Sequence, residues 1–361
     1  MTIAISEESP SRLLCGVSPL AELVAMLHAH SSPGHHALGR LSAELDGAMS
    51  GAGRREIRRL VVLWSGYRAR FLLPGPSGPS PEFDEEISRL GQLSPEKFLE
   101  SAAWAVRGGY SGSPPGGVLC RDVGAQSDIV LRAKARGDSA EELARQVFES
   151  PDAVRKRVID VLVDVHSRHF EREWKAMSSR LSVDAAERAA LAQSAGVASA
   201  IASLSSAARV MAPPLRVRID KMHHGYVRLA ETDLWLIPSA LGWPHLLVKH
   251  EPGWPAVIQY PVHDPSLKGA RPLLQDVRAR IEVVVDPNRL NLCRLIARET
   301  ASTSDLAART GMPASQVSRH LRRLRDAGLV HRHREGRIVL YELDLGGFRD
   351  LGADLLSALL R

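Results

Sequence analysis

Residues 286–343 carry the clearest pattern in the chain, and they read DPNRLNLCRLIARETASTSDLAARTGMPASQVSRHLRRLRDAGLVHRHREGRIVLYEL. Pro287 suits the first position of a helix, and the Asp286 side chain before it can cap the free amide groups of the first turn. Apolar side chains then recur at helical spacing, at Leu290, Cys293, Ile296 and Ala297. The segment is therefore predicted to open with a helix that has one buried face.

A short second helix is predicted to begin at Thr303 or Ser304. It is expected to end at Gly311, because glycine readily adopts the left-handed conformation that closes a helix. Gly311 and the two residues after it form a tight turn. The turn leads into a third helix.

The third helix is predicted from Ala314 to about Ala327 and has two contrasting faces. Val317, Leu321 and Leu324 lie at positions i, i+4 and i+7, so they mark the side that packs on the core. The opposite side carries small polar and basic side chains. This pattern indicates a helix that presents a cationic surface to a partner.

A basic β-hairpin is predicted after Gly328, with its turn at residues 334–337 and its second strand at 338–343. Residues 314–337 contain seven arginines against one aspartate and one glutamate, a net charge of +5. The whole chain of 361 residues carries a formal net charge of +6. A polyanion is therefore the expected partner of this stretch.

Helix, turn, phased helix and hairpin in this order predict a winged helix-turn-helix, whose last helix enters the major groove of duplex DNA. Small polar side chains at the start of that helix can approach base edges, and Gln316 can pair with adenine. Arginines on the helix and at the hairpin tip can reach phosphates, guanine or the minor groove. The predicted DNA contacts are Ser315, Gln316, Ser318, Arg319, Arg322, Arg323, Arg334 and Arg337.

Residues 286–343 resemble the winged helix-turn-helix of the ArsR family in their DPxRLxI-like opening, their VSxHLxxLxxAGLV core and their basic hairpin. The resemblance implies a transcriptional regulator, and more specifically a repressor. Pro313 stands where the family usually has Ser or Thr, and Ala314 where Gln is common, so part of the base readout can be shifted. By the resemblance, base and phosphate contacts fall on Ser315, Gln316, Ser318 and Arg319.

The ArsR family dimerises through helices that flank this module, and the segments 272–285 and 348–360 fit that role here. The resemblance thus implies a homodimer. A two-fold symmetric dimer is expected to bind a pseudo-palindromic operator in double-stranded DNA, with half-sites about one helical turn apart. The apolar residues predicted to dimerise are Leu274, Val277, Ile281, Phe348, Leu351, Leu355 and Leu359.

Many ArsR-type proteins sense metals through a Cys-x-Cys pair on the second helix or through side chains of the C-terminal helix. Residues 300–305 contain no cysteine, and no histidine follows Leu345. No metal and no other cofactor is therefore expected. A zinc site at His28, His30, His35 and His36 is the alternative to surface or hydrogen-bonded imidazoles, which are expected there and at His166, His169, His223 and His224. His331 and His333 are expected to contact phosphate or solvent rather than a metal.

The residues before this module predict a mainly α protein with a small β part. Ser-Pro pairs at 18–19, 94–95 and 150–151 indicate helix starts, and an Ala-rich helical region is expected to reach Val210. Short strands are then predicted at 215–219, 226–229, 234–237, 246–248 and 257–260. Three regions are predicted. Residues 1–180 form a helical region, and residues 181–268 add a helix and a small β-sheet that complete an α+β N-terminal domain. Residues 269–361 form the winged helix-turn-helix with its flanking helices.

The large N-terminal region is predicted to sense a small-molecule effector other than a metal. It resembles an uncharacterised domain that accompanies this helix-turn-helix in some bacterial regulators. The alternative is an architectural or protein-interaction factor that uses the winged helix only as a DNA anchor. Core packing is the favoured explanation for any single tryptophan, and the candidate pocket residues are Trp64, Trp104, Trp235, Trp243 and Trp254.

No catalytic or membrane signature accompanies these features. The chain lacks the GxSxG, GxxxxGK[ST], GxGxxG and HExxH motifs, so it is not expected to be an enzyme. Its N-terminus lacks a basic and apolar secretory signal, and no apolar run approaches the ~20 residues that cross a bilayer. A cytoplasmic location without a membrane partner is expected.

Overall fold

The structure is a computed structural model in which contacts divide the chain into two compact units, Met1–Lys268 and Gly269–Arg361. It describes residues 1–5, 13–32, 39–205, 208–219, 225–229, 232–242, 245–262, 274–297, 300–335 and 338–359. The predictions for Trp243, Arg337, His35, His36, His223 and His224 lie outside the described residues.

Helices make up most of the described part of the N-terminal unit. Two of the three predicted Ser-Pro starts are capped by the serine, since Ser18 Oγ accepts from Ala21 N at 3.0 Å and Ser94 Oγ from Lys97 N at 3.3 Å. The helices are α1 Pro19–Ser31, α2 Gly39–Ala48, α3 Gly51–Leu60, α4 Val62–Ser65, α5 Phe83–Gly91, α6 Pro95–Arg107, α7 Gly116–Leu119, α8 Val123–Lys134, α9 Asp138–Glu149, α10 Pro151–Val165, α11 Glu171–Ala195 and α12 Val197–Ala202.

Two four-stranded sheets complete the unit, in the orders β3-β4-β1-β5 and β2-β6-β8-β7. In the first sheet, β1 pairs antiparallel with β4, Thr2 opposite Arg218. In the second, β2 and β6 are parallel, Leu13 opposite Leu234. The strands are β1 Thr2–Ala4, β2 Leu13–Cys15, β3 Ala208–Met211, β4 Arg216–Ile219, β5 Tyr226–Arg228, β6 Leu234–Ser239, β7 Leu247–Lys249 and β8 Ala256–Pro261.

The five strands predicted from alternating apolar residues are confirmed as β4 to β8, whereas β1, β2 and β3 were not predicted. The expectation that helix continues to Val210 is wrong, because α12 ends at Ala202 and Val210 lies in β3. Since β1 and β2 come from the first fifteen residues, the β part is not limited to the region 181–268.

Buried polar contacts tie helices to the second sheet. Gln259 on β8 donates to the Ala21 carbonyl of α1 at 3.1 Å and accepts from Arg68 at 2.5 Å. Tyr260, the next residue, donates to Asp184 of α11 at 2.8 Å. Because each bond joins residues far apart in sequence, these contacts position the sheet against the helical core.

The C-terminal unit consists of a three-stranded sheet, in the order β10-β11-β9, and five helices among its described residues. The elements are α13 Leu274–Val284, α14 Pro287–Ile296, β9 Ala301–Ser302, α15 Thr303–Thr310, α16 Ala314–Asp326, β10 Val330–Glu335, β11 Ile338–Leu343 and α17 Leu345–Leu359. The predicted fold class is therefore confirmed: a mainly helical chain with an α+β N-terminal part and a C-terminal winged helix-turn-helix.

Candidate nucleic-acid interface

Helix α14 is the scaffold of the C-terminal unit, and it begins as the sequence predicts. The Asp286 carboxylate accepts from Asn288 N at 3.1 Å and Arg289 N at 3.0 Å, and Pro287 follows as the first helical residue. These hydrogen bonds hold the pKa of Asp286 below its usual value. The carboxylate therefore stays ionised at neutral pH and stabilises the helix start.

Helix α15 is held at both ends before the turn. Ser302 Oγ accepts from Asp305 N at 3.2 Å, and the Asp305 side chain accepts from Ser302 N at 3.0 Å, which is a capping box. Gly311 closes the helix with φ of 71°, as predicted. Sequence reasoning missed the cap, although the Ser-x-x-Asp spacing is its signature.

Helix α16 buries one side and exposes the other. Val317, Leu321 and Leu324 are completely buried, which confirms the predicted phase of the helix. Ser315 and Arg319 are exposed on the other side, where Gln316 and Ser318 are half-buried. The predicted base-contacting residues thus lie together over the first turns of this helix.

Three arginines of this face have charges that no neighbour neutralises. Arg319, Arg322 and Arg323 are exposed, and within the described part of the chain none of their guanidinium groups has a hydrogen bond or an ion pair. An arginine on a surface is commonly paired with a nearby carboxylate, as Arg325 is with Asp326 at 2.8 Å. The three guanidinium groups are therefore available for phosphate or guanine.

The predicted hairpin forms the wing, in which β10 and β11 pair antiparallel with Arg334 opposite Val339. Arg334 is exposed near the tip. His331 Nε2 lies 2.7 Å from an Asp344 carboxylate oxygen, an ion pair when the histidine is protonated. The wing is extended by β9, which pairs with β11 and was not predicted.

The helices that flank the module pack into its own core rather than leaving all of their apolar residues exposed. Val277 of α13 is fully buried and Leu351 of α17 is 8% exposed, so neither is open to a second copy in this unit. The dimerisation role predicted for both residues stays a prediction. Ile281, Phe348 and Leu355 are only partly buried, and the side chains of Leu274 and Leu359 lie outside the described residues.

Arg280 joins three elements of this unit. Its guanidinium donates to the carbonyl of Ala327, the C-cap residue of α16, with a distance of 3.1 Å. It also donates to the Gly347 carbonyl of α17, with a distance of 3.3 Å. It also forms an ion pair with Asp354 at 2.8 Å. Arg280 was not among the predicted site residues, because its three partners lie 47 to 74 residues away in sequence.

The tryptophans predicted to line a pocket do not form one together. Trp64 and Trp104 are 1% and 3% exposed within the helical core, and Trp235 packs in a separate apolar cluster. Trp254 alone of the four that are described lines the two cavities found beside it, of about 550 and 180 Å³. Pro76, from the proline-rich loop 74–81, lines both cavities as well.

The described residues contain no candidate metal site and no candidate membrane span. They contain no group of three or more His, Cys, Asp and Glu side chains that could hold a metal ion. Among the described helices, none is both long enough and apolar enough to cross a membrane.

The chain is similar to known proteins in two separate regions. The profile of a family described as a family of unknown function (DUF5937) matches residues 1–266, and that of a helix-turn-helix domain matches residues 284–333. The HTH-type transcriptional regulator KmtR of Mycobacterium tuberculosis is 35% identical over 72 residues, which are 20% of this chain and 55% of KmtR. The chain thus spans about half the length of KmtR.

Two further proteins are similar over the same part of the chain. The HTH-type transcriptional regulator YgaV of Escherichia coli is 34% identical over 70 residues, 19% of this chain and 71% of YgaV. A solved structure of a possible transcriptional regulator for arsenical resistance is 36% identical, with a TM-score of 0.20. The matched region is 21% of this chain and 78% of the chain in that structure.

The C-terminal unit is therefore an ArsR-type winged helix-turn-helix, the DNA-binding module of a class of transcriptional regulators. The chain as a whole, matched over 1–266, belongs to the DUF5937 family.

Proposed function

We propose that this chain is a transcriptional regulator that binds double-stranded DNA through α16 and the wing. The observation that carries the proposal is the face of α16 where Arg319, Arg322 and Arg323 are exposed and unpaired within the described residues. Arginine forks match phosphate oxygens and the O6 and N7 atoms of guanine. The DNA contacts that we propose are Ser315, Gln316, Ser318, Arg319, Arg322, Arg323, Arg334 and Arg337.

A homodimer is the form in which we propose that the chain binds its operator. Support comes from α13 and α17, which pack on each other and keep Ile281, Phe348 and Leu355 partly exposed. Two copies related by a two-fold axis would read a pseudo-palindrome. Repression is the proposed outcome, since a dimer that occupies an operator excludes other proteins from it.

The N-terminal unit is the part that we propose senses an effector other than a metal. The cavities beside Trp254 support this role, because ligand sites are concave, largely apolar and lined by a few polar groups. Phe71, Leu90 and Leu93 line the smaller cavity, and Thr232 and Asp233 line the larger. We propose that 1–180 and 181–268 together form the sensory domain, since β1 and β2 pair with strands of 181–268, and that 269–361 form the DNA-binding domain.

Selection of duplexes from a random-sequence pool by the purified chain tests the DNA-binding proposal. We expect one enriched sequence, bound ~10³-fold more tightly than unrelated duplexes at the same salt concentration. Arg319→Ala should reduce that preference by about tenfold or more, since one base contact contributes ~1–3 kcal/mol. Arg132→Ala is the control, because it removes one exposed arginine from α8. Equal affinity for all duplexes would instead identify an architectural DNA anchor.

A further inference from the structure

A cleft between α3 and α9 carries three arginines on one wall. Its volume is about 250 Å³, and Arg55, Arg58 and Arg59 line it from α3. These residues share one face of the helix, because their spacing is i, i+3 and i+4. Ser139, Glu142, Leu143 and Gln146 line the opposite wall from α9.

Polar side chains of α3, α9 and α10 beside the cleft hold one another in place. Arg157 of α10 donates to Glu56 at 2.6 Å and to Gln146 at 2.7 Å. Gln146 in turn donates to Glu142 at 3.1 Å, and Glu56 lies 3.5 Å from Arg59. This network orients one wall of the cleft before any ligand arrives, which lowers the entropic cost of binding.

The charges of the cleft do not balance. Three arginines, 55, 58 and 59, line the cleft against one glutamate, Glu142, which leaves an excess of two positive charges among the lining residues. The guanidinium groups of Arg55 and Arg58 have no hydrogen bond or ion pair with any described residue, and neither does the Ser139 hydroxyl. A group with two negative charges and several acceptor oxygens would neutralise this excess.

We propose that this cleft binds the phosphate group of a small phosphate monoester. A monoester is close to a dianion at neutral pH and offers three terminal oxygens, which suit the forks of Arg55 and Arg58 and the Ser139 hydroxyl. A single phosphodiester carries one negative charge, so it would leave half of the excess charge unneutralised. Glu142, exposed at the rim, can accept from a hydroxyl of the remaining part of the ligand.

Calorimetric titration of the full chain with glycerol 3-phosphate and with inorganic phosphate tests the site without DNA. We expect saturable binding of one phosphate per chain, weakened about tenfold or more by Arg55→Ala and by Arg58→Ala, because charge-assisted hydrogen bonds are lost. Arg58→Lys should recover part of the affinity. Arg180→Ala is the matched control, since Arg180 is exposed on α11 outside the cleft, and it should bind as the unaltered chain does.

Two results would overturn the proposal. The first is no saturable binding of either probe, or equal binding by the cleft variants and the control. The second is that Arg55→Ala and Arg58→Ala lower the affinity for unrelated duplex DNA as much as Arg334→Ala does. That result would identify the cleft as a surface that binds the DNA backbone. Failure of the chain to prefer one operator would count against the proposed regulator but not against this site.

Discussion

Glu86 is a carboxylic acid enclosed by the N-terminal unit, at 5% exposure. It accepts from Ser18 Oγ and Leu20 N, both at 2.9 Å, yet burial raises its pKa to about 7. The protonated form therefore stabilises the fold, and this contribution is complete below the unfolded pKa of 4.5 and lost as the pH rises through 7.

Glu86→Gln should remove this pH dependence. As the pH rises from 4.5 to above 7, the unaltered chain should lose more stability than Glu86→Gln does. The difference in the free energy of unfolding should change by about 2–3 kcal/mol. Urea denaturation at a series of pH values measures the difference. The exposed neighbour Glu85, changed to Gln, provides the control. Parallel stability curves for Glu86→Gln and the unaltered chain would show that Glu86 does not titrate in this range.

Arg280 acts through position rather than through contact with DNA. Arg280→Ala should leave the Ala327 and Gly347 carbonyls and Asp354 without their shared donor, and should destabilise α13 and α17 by ~1–3 kcal/mol. Hydrogen exchange of the amides in both helices measures this change. Arg278, two residues earlier, forms an exposed pair with Glu282, so Arg278→Ala should cost at most ~0.5 kcal/mol. Similar effects of both substitutions would contradict the proposed role of Arg280.

At the scale of elements, the wing should contribute affinity without sequence preference. Arg334 is exposed near the tip of β10, where a guanidinium can lie against the DNA backbone. Arg334→Ala should weaken binding to operator and unrelated duplexes alike, and lower the slope of log affinity against log salt by about 1. Binding titrations between low and high salt measure both. Unchanged affinity for unrelated duplexes would mean that the wing does not contact DNA.

Elements with local signals could be predicted from the sequence, and the others could not. Asp286-Pro287, Gly311 and the phase of Val317 with Leu321 each specify structure within a few residues, so the helices of the C-terminal unit were anticipated. Strands β1 and β2 are as short as the predicted β5 and β7, but they stand apart from the run of strand signals that begins at Leu215. They are strands because of partners more than 200 residues away.

At the scale of the whole molecule, candidate sites were predictable only where a single element builds them. The face of α16 comes from one helix, so its spacing indicated it directly. The cavities beside Trp254 and the cleft of Arg55 and Arg58 each combine segments distant in sequence. A tryptophan or an arginine that lines such a site looks the same in sequence as one in the core or on an open surface.

The proposed assembly predicts a definite footprint. Two chains should protect a pseudo-palindrome with half-sites about one helical turn apart, and sedimentation should give two chains for each bound duplex. A single chain bound to one asymmetric half-site would contradict the homodimer. Because the oligomeric state is measured with the same duplex, the result does not depend on the identity of the effector.

The pairing of β1 with β4 also has a consequence for synthesis on the ribosome. Thr2 lies opposite Arg218 and Leu13 opposite Leu234, so β1 and β2 each emerge more than 200 residues before the strand that pairs with them. The helical core, drawn mostly from residues 20–170, can form in the meantime. During translation the two leading strands therefore have exposed edges, and this interval is when a nascent chain would gain most from a chaperone.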